Sequence, residues 1–252
     1  MGADKMAQSW FIWNGFDCRS KGVLLDGPVA IVRPEERVQH IQIPGRSGDL
    51  TQLEGEDIYN SYIQTATILV HGGYRVREIY RWLRGAGYVT FSGEPDKRQA
   101  ARIIGAITLN KHSYNLDWWT GECQFYCQPL KELLIDNPVT ITSSGTAIRN
   151  NGDVECRPLY KVTVASGKTS ITLTAAYTQG SATRLMTIAV TGLTGGSTYY
   201  IDSDALEVYN ANRTELITKN STGTFPVLGP GNNVITFTNI ASVEITKRER
   251  YL

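Results

Sequence analysis

The sequence has little of what most function classes require. Its formal net charge is +1, from 25 basic and 24 acidic residues, so it is not built electrostatically for sequence-specific nucleic acid or an anionic membrane. No apolar run reaches the ~18 residues of a membrane span, and Met1 to Trp13 has no apolar stretch of the kind a secretory leader carries. We therefore expect neither anchor nor signal peptide. Histidine is scarce: His40, His71 and His112 stand apart, with no His-x-x-x-His and no carboxylate at metal-site spacing. The sequence contains no Gly-x-Ser-x-Gly elbow, no phosphate loop and no dinucleotide fingerprint. The four cysteines, Cys18, Cys123, Cys127 and Cys156, form no Cys-x-x-Cys pair. Cys123 and Cys127, four apart on an expected strand, share a face and read as core thiols rather than as ligands or a disulfide. The one carboxylate cluster, Asp202-Ser203-Asp204 with Glu207, lacks the glycine of a calcium loop and reads as a polar turn. These absences leave no expected catalytic, cofactor-binding or metal residue, and the chain is not read as an enzyme.

What is present is a hairpin around which the rest can be organised, Arg37 to Glu54. Gln39, Ile41 and Ile43 alternate with Val38, His40 and Gln42 at the period of two that pleating imposes. Pro44, Gly45 and Gly48 mark a tight turn with Arg46 and Asp49 at its tip. Each strand carries polar residues on both faces, which suits a surface hairpin and suits better an arm that pairs with a neighbouring chain. Its expected subunit-interface residues are Val38, His40, Ile41, Ile43, Arg46, Leu50 and Leu53.

Further strands are expected at Ser9 to Phe16, which enters a turn at Asn14-Gly15, at Val29 to Val32, Tyr62 to Val70 and Tyr88 to Phe91, and along Ile103 to Leu109. The clearest is Trp118 to Gln128, with Trp119, Gly121, Cys123, Phe125 and Cys127 on one face and Pro129 as its expected end. One helix stands out, its apolar stripe formed by Val76, Ile79, Tyr80 and Leu83 with Gly85 beyond it. Arg77, Arg81 and Arg84 lie opposite and read as a solvated face. After Leu134 the texture turns to Gly, Ser, Thr and Asn, with short β-prone runs at Tyr160 to Val164, Ile171 to Thr174, Leu185 to Val190, Thr198 to Ile201, Val234 to Phe237 and Val243 to Thr246. The expected fold is thus mainly β. A domain over 1–135, sandwich-like with one helix and a long hairpin arm, precedes an antiparallel β-sandwich over 136–252. Tyr199, Tyr200, Tyr209 and Phe237 suggest core packing, with a sugar-stacking platform as the other reading.

The ordered set resembles the distal tail (Dit) proteins of phages with long non-contractile tails. The similar pieces are Phe11-Ile12-Trp13-Asn14-Gly15, Ile43-Pro44-Gly45-Arg46-Ser47-Gly48, Ile79-Tyr80-Arg81-Trp82-Leu83, Val89-Thr90-Phe91-Ser92 with Glu94-Pro95-Asp96, and Gly121 to Pro129. In the second half Tyr200-Ile201-Asp202-Ser203, Leu228-Gly229-Pro230-Gly231-Asn232 and Ile245-Thr246-Lys247-Arg248 continue it, so the likeness spans nearly the whole chain. The resemblance implies a virion structural protein of the tail tip, made in the host cytoplasm. Such a protein forms a homohexameric ring through its first domain, belted by the hairpin, and carries a galectin-like or carbohydrate-module-like sandwich outward. Its implied partners are the tail tube protein, the tail-associated protein of the tip, and receptor-binding or peripheral baseplate proteins. A lectin-like module for a host-surface saccharide is the alternative. The family transfers no catalytic, cofactor or metal residue, and the short second domain leaves no room for a large added host-binding module.

Overall fold

The structure is a computed structural model that describes residues 9–53, 55, 57–111 and 117–252. Glu54 and His112, named above, lie outside that set. By internal contacts the described chain divides into a first unit ending at Leu134 and a second over Ile135–Tyr251.

In the first unit, β1 (Phe11–Trp13) and β2 (Phe16–Asp17) are joined by Asn14 and Gly15 at φ of 50° and 83°, the two positive values that a two-residue hairpin turn requires. After them come β3 (Val23–Leu25), the hairpin strands β4 (Val38–Ile41) and β5 (Leu50–Leu53), and β6 (Tyr62–His71). The helix α1 (Val76–Trp82) precedes β7 (Ala86–Phe91), β8 (Lys97–Ile104), β9 (Asn110–Lys111) and β10 (Trp118–Leu133). The main antiparallel sheet runs β2-β1-β7-β8-β10-β6-β3, with β9 also paired to β10.

The aromatic contacts show that this sheet is curled. Between β1 and β10 lie β7 and β8, a lateral distance of about 14 Å in a flat sheet. Yet the Phe125 ring of β10 sits 5.3 Å from Phe11 and 5.6 Å from Trp13, both on β1. Only a sheet folded over on itself brings these rings together. The open side is closed by α1, whose Ile79 is buried with them, as is Leu83 at its end, and whose Trp82 stacks on Phe11 at 5.6 Å. The expected faces of β10 hold, since Cys123, Phe125 and Cys127 have no exposed surface while Glu122 and Tyr126 face solvent.

Three expectations are corrected here. Val29 to Val32 joins no ladder, and Ile31 is 64% exposed; Pro28 and Pro34 bracket the run, and neither can donate to a neighbouring strand. Pro129 does not end β10, which continues to Leu133. The register of β10 against β8 shifts between Cys127 and Lys131, so the proline falls at an irregularity where no ladder donor is needed. Ile103 to Leu109 is only partly strand: β8 ends at Ile104, and the chain is irregular until Asn110.

The second unit is a sandwich of two antiparallel sheets. One has the order β11 (Val139–Ile141), β20 (Ile240–Thr246), β13 (Leu159–Val164), β16 (Thr198–Asp202), β17 (Glu207–Asn210). The other runs β12 (Thr146–Asn150), β19 (Gly231–Thr238), β14 (Ser170–Gln179), β15 (Ala182–Thr191), β18 (Ser221–Gly223). Alternate residues enter the core, so Tyr160, Val162, Ile201, Val243 and Ile245 from the first sheet meet Leu173, Ala175, Ile188, Val190 and Ile235 from the second.

Candidate assembly interface

The hairpin is its own two-stranded sheet. Its ladder pairs Val38 with Leu53, Gln39 with Gln52, His40 with Thr51 and Ile41 with Leu50. Gly45 and Gly48 take φ of 81° and 79° in the connection, and the Arg46 amide donates to the Ile43 carbonyl at 3.1 Å. At the base, the Arg37 amide donates to Ile58 O at 2.9 Å and the Asn60 amide to Glu35 O at 2.8 Å. The arm is thus tied by backbone at its root, next to the buried Tyr59 ring.

Directly opposed residues share a face. Val38, His40, Thr51 and Leu53 therefore occupy one side of the arm, and Gln39, Ile41, Leu50 and Gln52 the other. Each side has one apolar pair, and neither pair belongs to a core cluster of its own chain. Every residue from Gln39 to Leu53 is exposed, with Ile41 at 39%, Ile43 at 40%, Leu50 at 41% and Leu53 at 56%. An ordinary surface hairpin hides at least one face against its domain; this one hides neither. The ladder thus brings Val38 beside Leu53 and Ile41 beside Leu50, while Ile43 and Arg46 lie in the connection beyond it.

The other candidates are accounted for within the fold. Asp202 accepts from the Asp204 and Ala205 amides, closing the polar turn, and receives both Nη atoms of Arg248 at 2.7 and 2.9 Å. Asp204 receives Arg250 at 2.9 Å. Desolvation pushes the Asp202 carboxyl up, but the Arg248 guanidinium and the turn amides outweigh it and hold the group below the usual carboxylate value. Among the described residues no group of three or more His, Cys, Asp and Glu could hold a metal ion. Burial pushes the Cys123, Cys127 and Cys156 thiols up to about 12, so at neutral pH they remain protonated and are poor nucleophiles. The Tyr199 hydroxyl accepts from the Thr194 amide at 3.0 Å and its ring packs on the core. Arg213 covers the Tyr200 ring at 4.2 Å, so that face is closed to a sugar.

A pH dependence follows from Asp202. Because its folded-state pKa is depressed, the unfolded chain binds more protons in the acid range, and stability rises with pH there. The contribution is complete above the unfolded value of about 3.9 and disappears as pH falls through the lower folded value. Urea unfolding of the wild type and of Arg248→Ala should therefore differ at neutral pH and converge on acidification. A difference that stays constant down the acid limb would remove the pair from the account.

The fold is shared with a phage Dit protein of known structure. The crystal structure of the SPP1 Dit protein, described as a paradigm of hub adsorption apparatus in phages infecting Gram-positive bacteria, aligns with a TM-score of 0.77 and 17% identity, covering 97% of this chain and 99% of that one. A chain of the phage P2 baseplate in its activated conformation with Ca aligns at 0.47 with 8% identity, over 96% of this chain and 98% of that one, too distant to add to the argument. No protein-family model matches this sequence, and no curated protein does.

Proposed function

We propose that this chain is a structural protein of a long non-contractile phage tail, closing into a six-membered ring that joins the tail tube to the tip. The observation that carries this reading is the arm, a separate two-stranded sheet with an uncovered apolar pair on each face, on a chain with a tail-hub fold. Ring closure with cyclic symmetry gives each arm an equivalent place on a neighbour. Val38, Ile41, Ile43, Leu50 and Leu53 supply the apolar contact, and His40 and Arg46 the polar positions around it. The ring works in the virion, and the chain is made in the host cytoplasm. It acts by positioning its partners and carries out no catalysis. Solution mass at several concentrations tests the ring: six chains of 27.9 kDa give about 167 kDa. A monomer within assembled tails would end the proposal.

In this reading the division near 135/136 separates a ring-forming part from a docking part. The sandwich presents loops at its ends and short edge strands on which receptor-binding or peripheral baseplate proteins settle. Removing Asp136 to Leu252 should leave ring formation intact and strip those proteins from the tail, read by the composition of purified particles. If the truncated chain no longer forms rings, the second unit is part of the ring itself.

A further inference from the structure

Arg77 and Arg81 of α1, and Arg84 just beyond its end, have no carboxylate partner among the described residues, and a cleft opens beside Arg84. Glu78, the acidic residue of the helix, is taken by Lys21 at 3.3 Å. Arg77, Arg81 and Arg84 are exposed. The cleft, shallow and open to solvent with a volume of about 410 Å³, is lined by Tyr80, Leu83, Arg84, Gly85, Ile103 and the 105–107 turn. Its lining combines the apolar side chains of Leu83, Ile103 and Ile107 with the Arg84 guanidinium and the Tyr80 hydroxyl, which accepts from the Leu109 amide at 3.4 Å.

The walls are held in place by backbone. The Ile103 amide donates to Gly85 O at 2.9 Å, fastening the chain after the helix to β8. Leu83 beneath is 3% exposed and packed in the core. Gly85 and Gly105 take φ of 78° and 69°, turning the chain away at both lips of the cleft. A Cβ at Gly85 would meet nothing within 4 Å, so this glycine is required by its dihedral and leaves the space open.

We propose that this cleft seats a segment of a partner protein that inserts a large apolar side chain flanked by aspartate or glutamate. The apolar floor selects the side chain by the area it removes from water. Arg84 selects the flanking acid by charge complementarity and a guanidinium–carboxylate contact, and the exposed Arg77 and Arg81 of α1 add positive charge on the same stretch of chain. The cleft is a second docking place on the first unit, separate from the hairpin. Only the identity of the partner as a tail protein rests on the hub reading.

The purified chain tests the chemistry of the cleft independently of that reading. The probe is 1-anilinonaphthalene-8-sulfonate, an apolar ring system with one anionic group. Fluorescence titration should show a saturable site that Ala106→Trp abolishes by filling the cleft and Arg84→Glu weakens by about tenfold or more, while Arg84→Lys stays within about threefold. Circular dichroism melts of all three variants should match the wild type, since Ala106 and Arg84 are exposed. Binding insensitive to Ala106→Trp, or no saturable site, overturns the proposal. The partner is then read by placing the photo-cross-linker p-benzoylphenylalanine at Ala106 in assembled tails and sequencing the captured peptide. A peptide of another protein, rich in Asp and Glu around a large apolar residue, supports the inference. Capture of another copy of this chain, or of a segment in which Lys and Arg predominate, overturns it. Absence of the chain from tails defeats the hub reading and leaves the dye titration to decide the cleft.

Discussion

Replacing Ile41 and Leu53 together with aspartate should abolish assembly and leave the isolated chain folded. The two residues lie on opposite faces of the arm, so the double variant places a charge on each side. In the free chain both side chains already face water and touch neither core cluster; the substitution there costs little. In the proposed ring each carboxylate would enter an apolar contact without a partner, a penalty of roughly several kcal/mol per chain. Linkage converts that penalty into dissociation, because only the assembled state bears it. The expected result is a species of about 167 kDa, six times the 27.9 kDa of one chain, replaced by monomer, with an unchanged urea midpoint. A double variant that fails to fold would instead assign these side chains to the chain's own core. Unaltered assembly would remove the arm from the interface.

The largest effect on stability is expected at Glu249. Its carboxylate is 2% exposed, accepts from the Asn151 amide at 2.9 Å and from the Tyr251 hydroxyl at 2.7 Å, and pairs with Lys247, itself 12% exposed. Desolvation raises its pKa, yet the Asn151 amide, Lys247 and Tyr251 together hold it below the ordinary value. Truncating one member of such a pair leaves the other charge buried without compensation, at a cost of about 3–5 kcal/mol. Glu249→Ala should lower the unfolding free energy of the second unit by that much, a large share of the ~5–15 kcal/mol typical of a domain. The double variant Glu249→Leu/Lys247→Met should recover most of the loss, since an apolar pair of similar volume carries no desolvation penalty. Chemical denaturation of the three proteins checks both statements. A loss below about 1 kcal/mol in the single variant would show the pair to be solvated.

The hairpin could be read from Pro44, Gly45 and Gly48 because turn chemistry is local: the residue that sets φ is the residue seen. The same holds for Cys123 to Cys127, where side-chain period and burial coincide, and in part for α1, whose expected stripe buries Ile79 and, just past its end, Leu83 but leaves Tyr80 40% exposed. β8 was not legible. Its inward positions include Gln99 and Ala101, one polar and one small. Gln99 is buried at 3% only because the Tyr62 hydroxyl and the Gln128 carbonyl satisfy it, and those partners come from distant sequence. β11 and β12 fall in a stretch whose Ser, Thr and Asn content reads as a linker; they become strands by pairing with β20 and β19. Lys131 with Glu94, at 2.6 Å and 7% and 22% exposed, shows the same limit, since two charges separated along the chain give no local sign that they will meet. The arm's residues were legible as unusual, but the placement of one apolar pair on each face required the register.

The 16-residue β10 has a mechanical consequence. At about 3.3 Å per residue it is about 53 Å long. It is bonded to β6 continuously from Trp118 to Cys127 on one flank and to β8 from Gln124 to Leu133, across the register shift, on the other. Ladder hydrogen bonds lie perpendicular to the strands. Tension applied along β10 therefore loads the whole row in shear, and rupture requires many bonds to fail at once. Tension applied across it peels them one after another. The first unit is stiff along one axis and weak along another, so the direction in which force reaches it decides whether it transmits that force or opens.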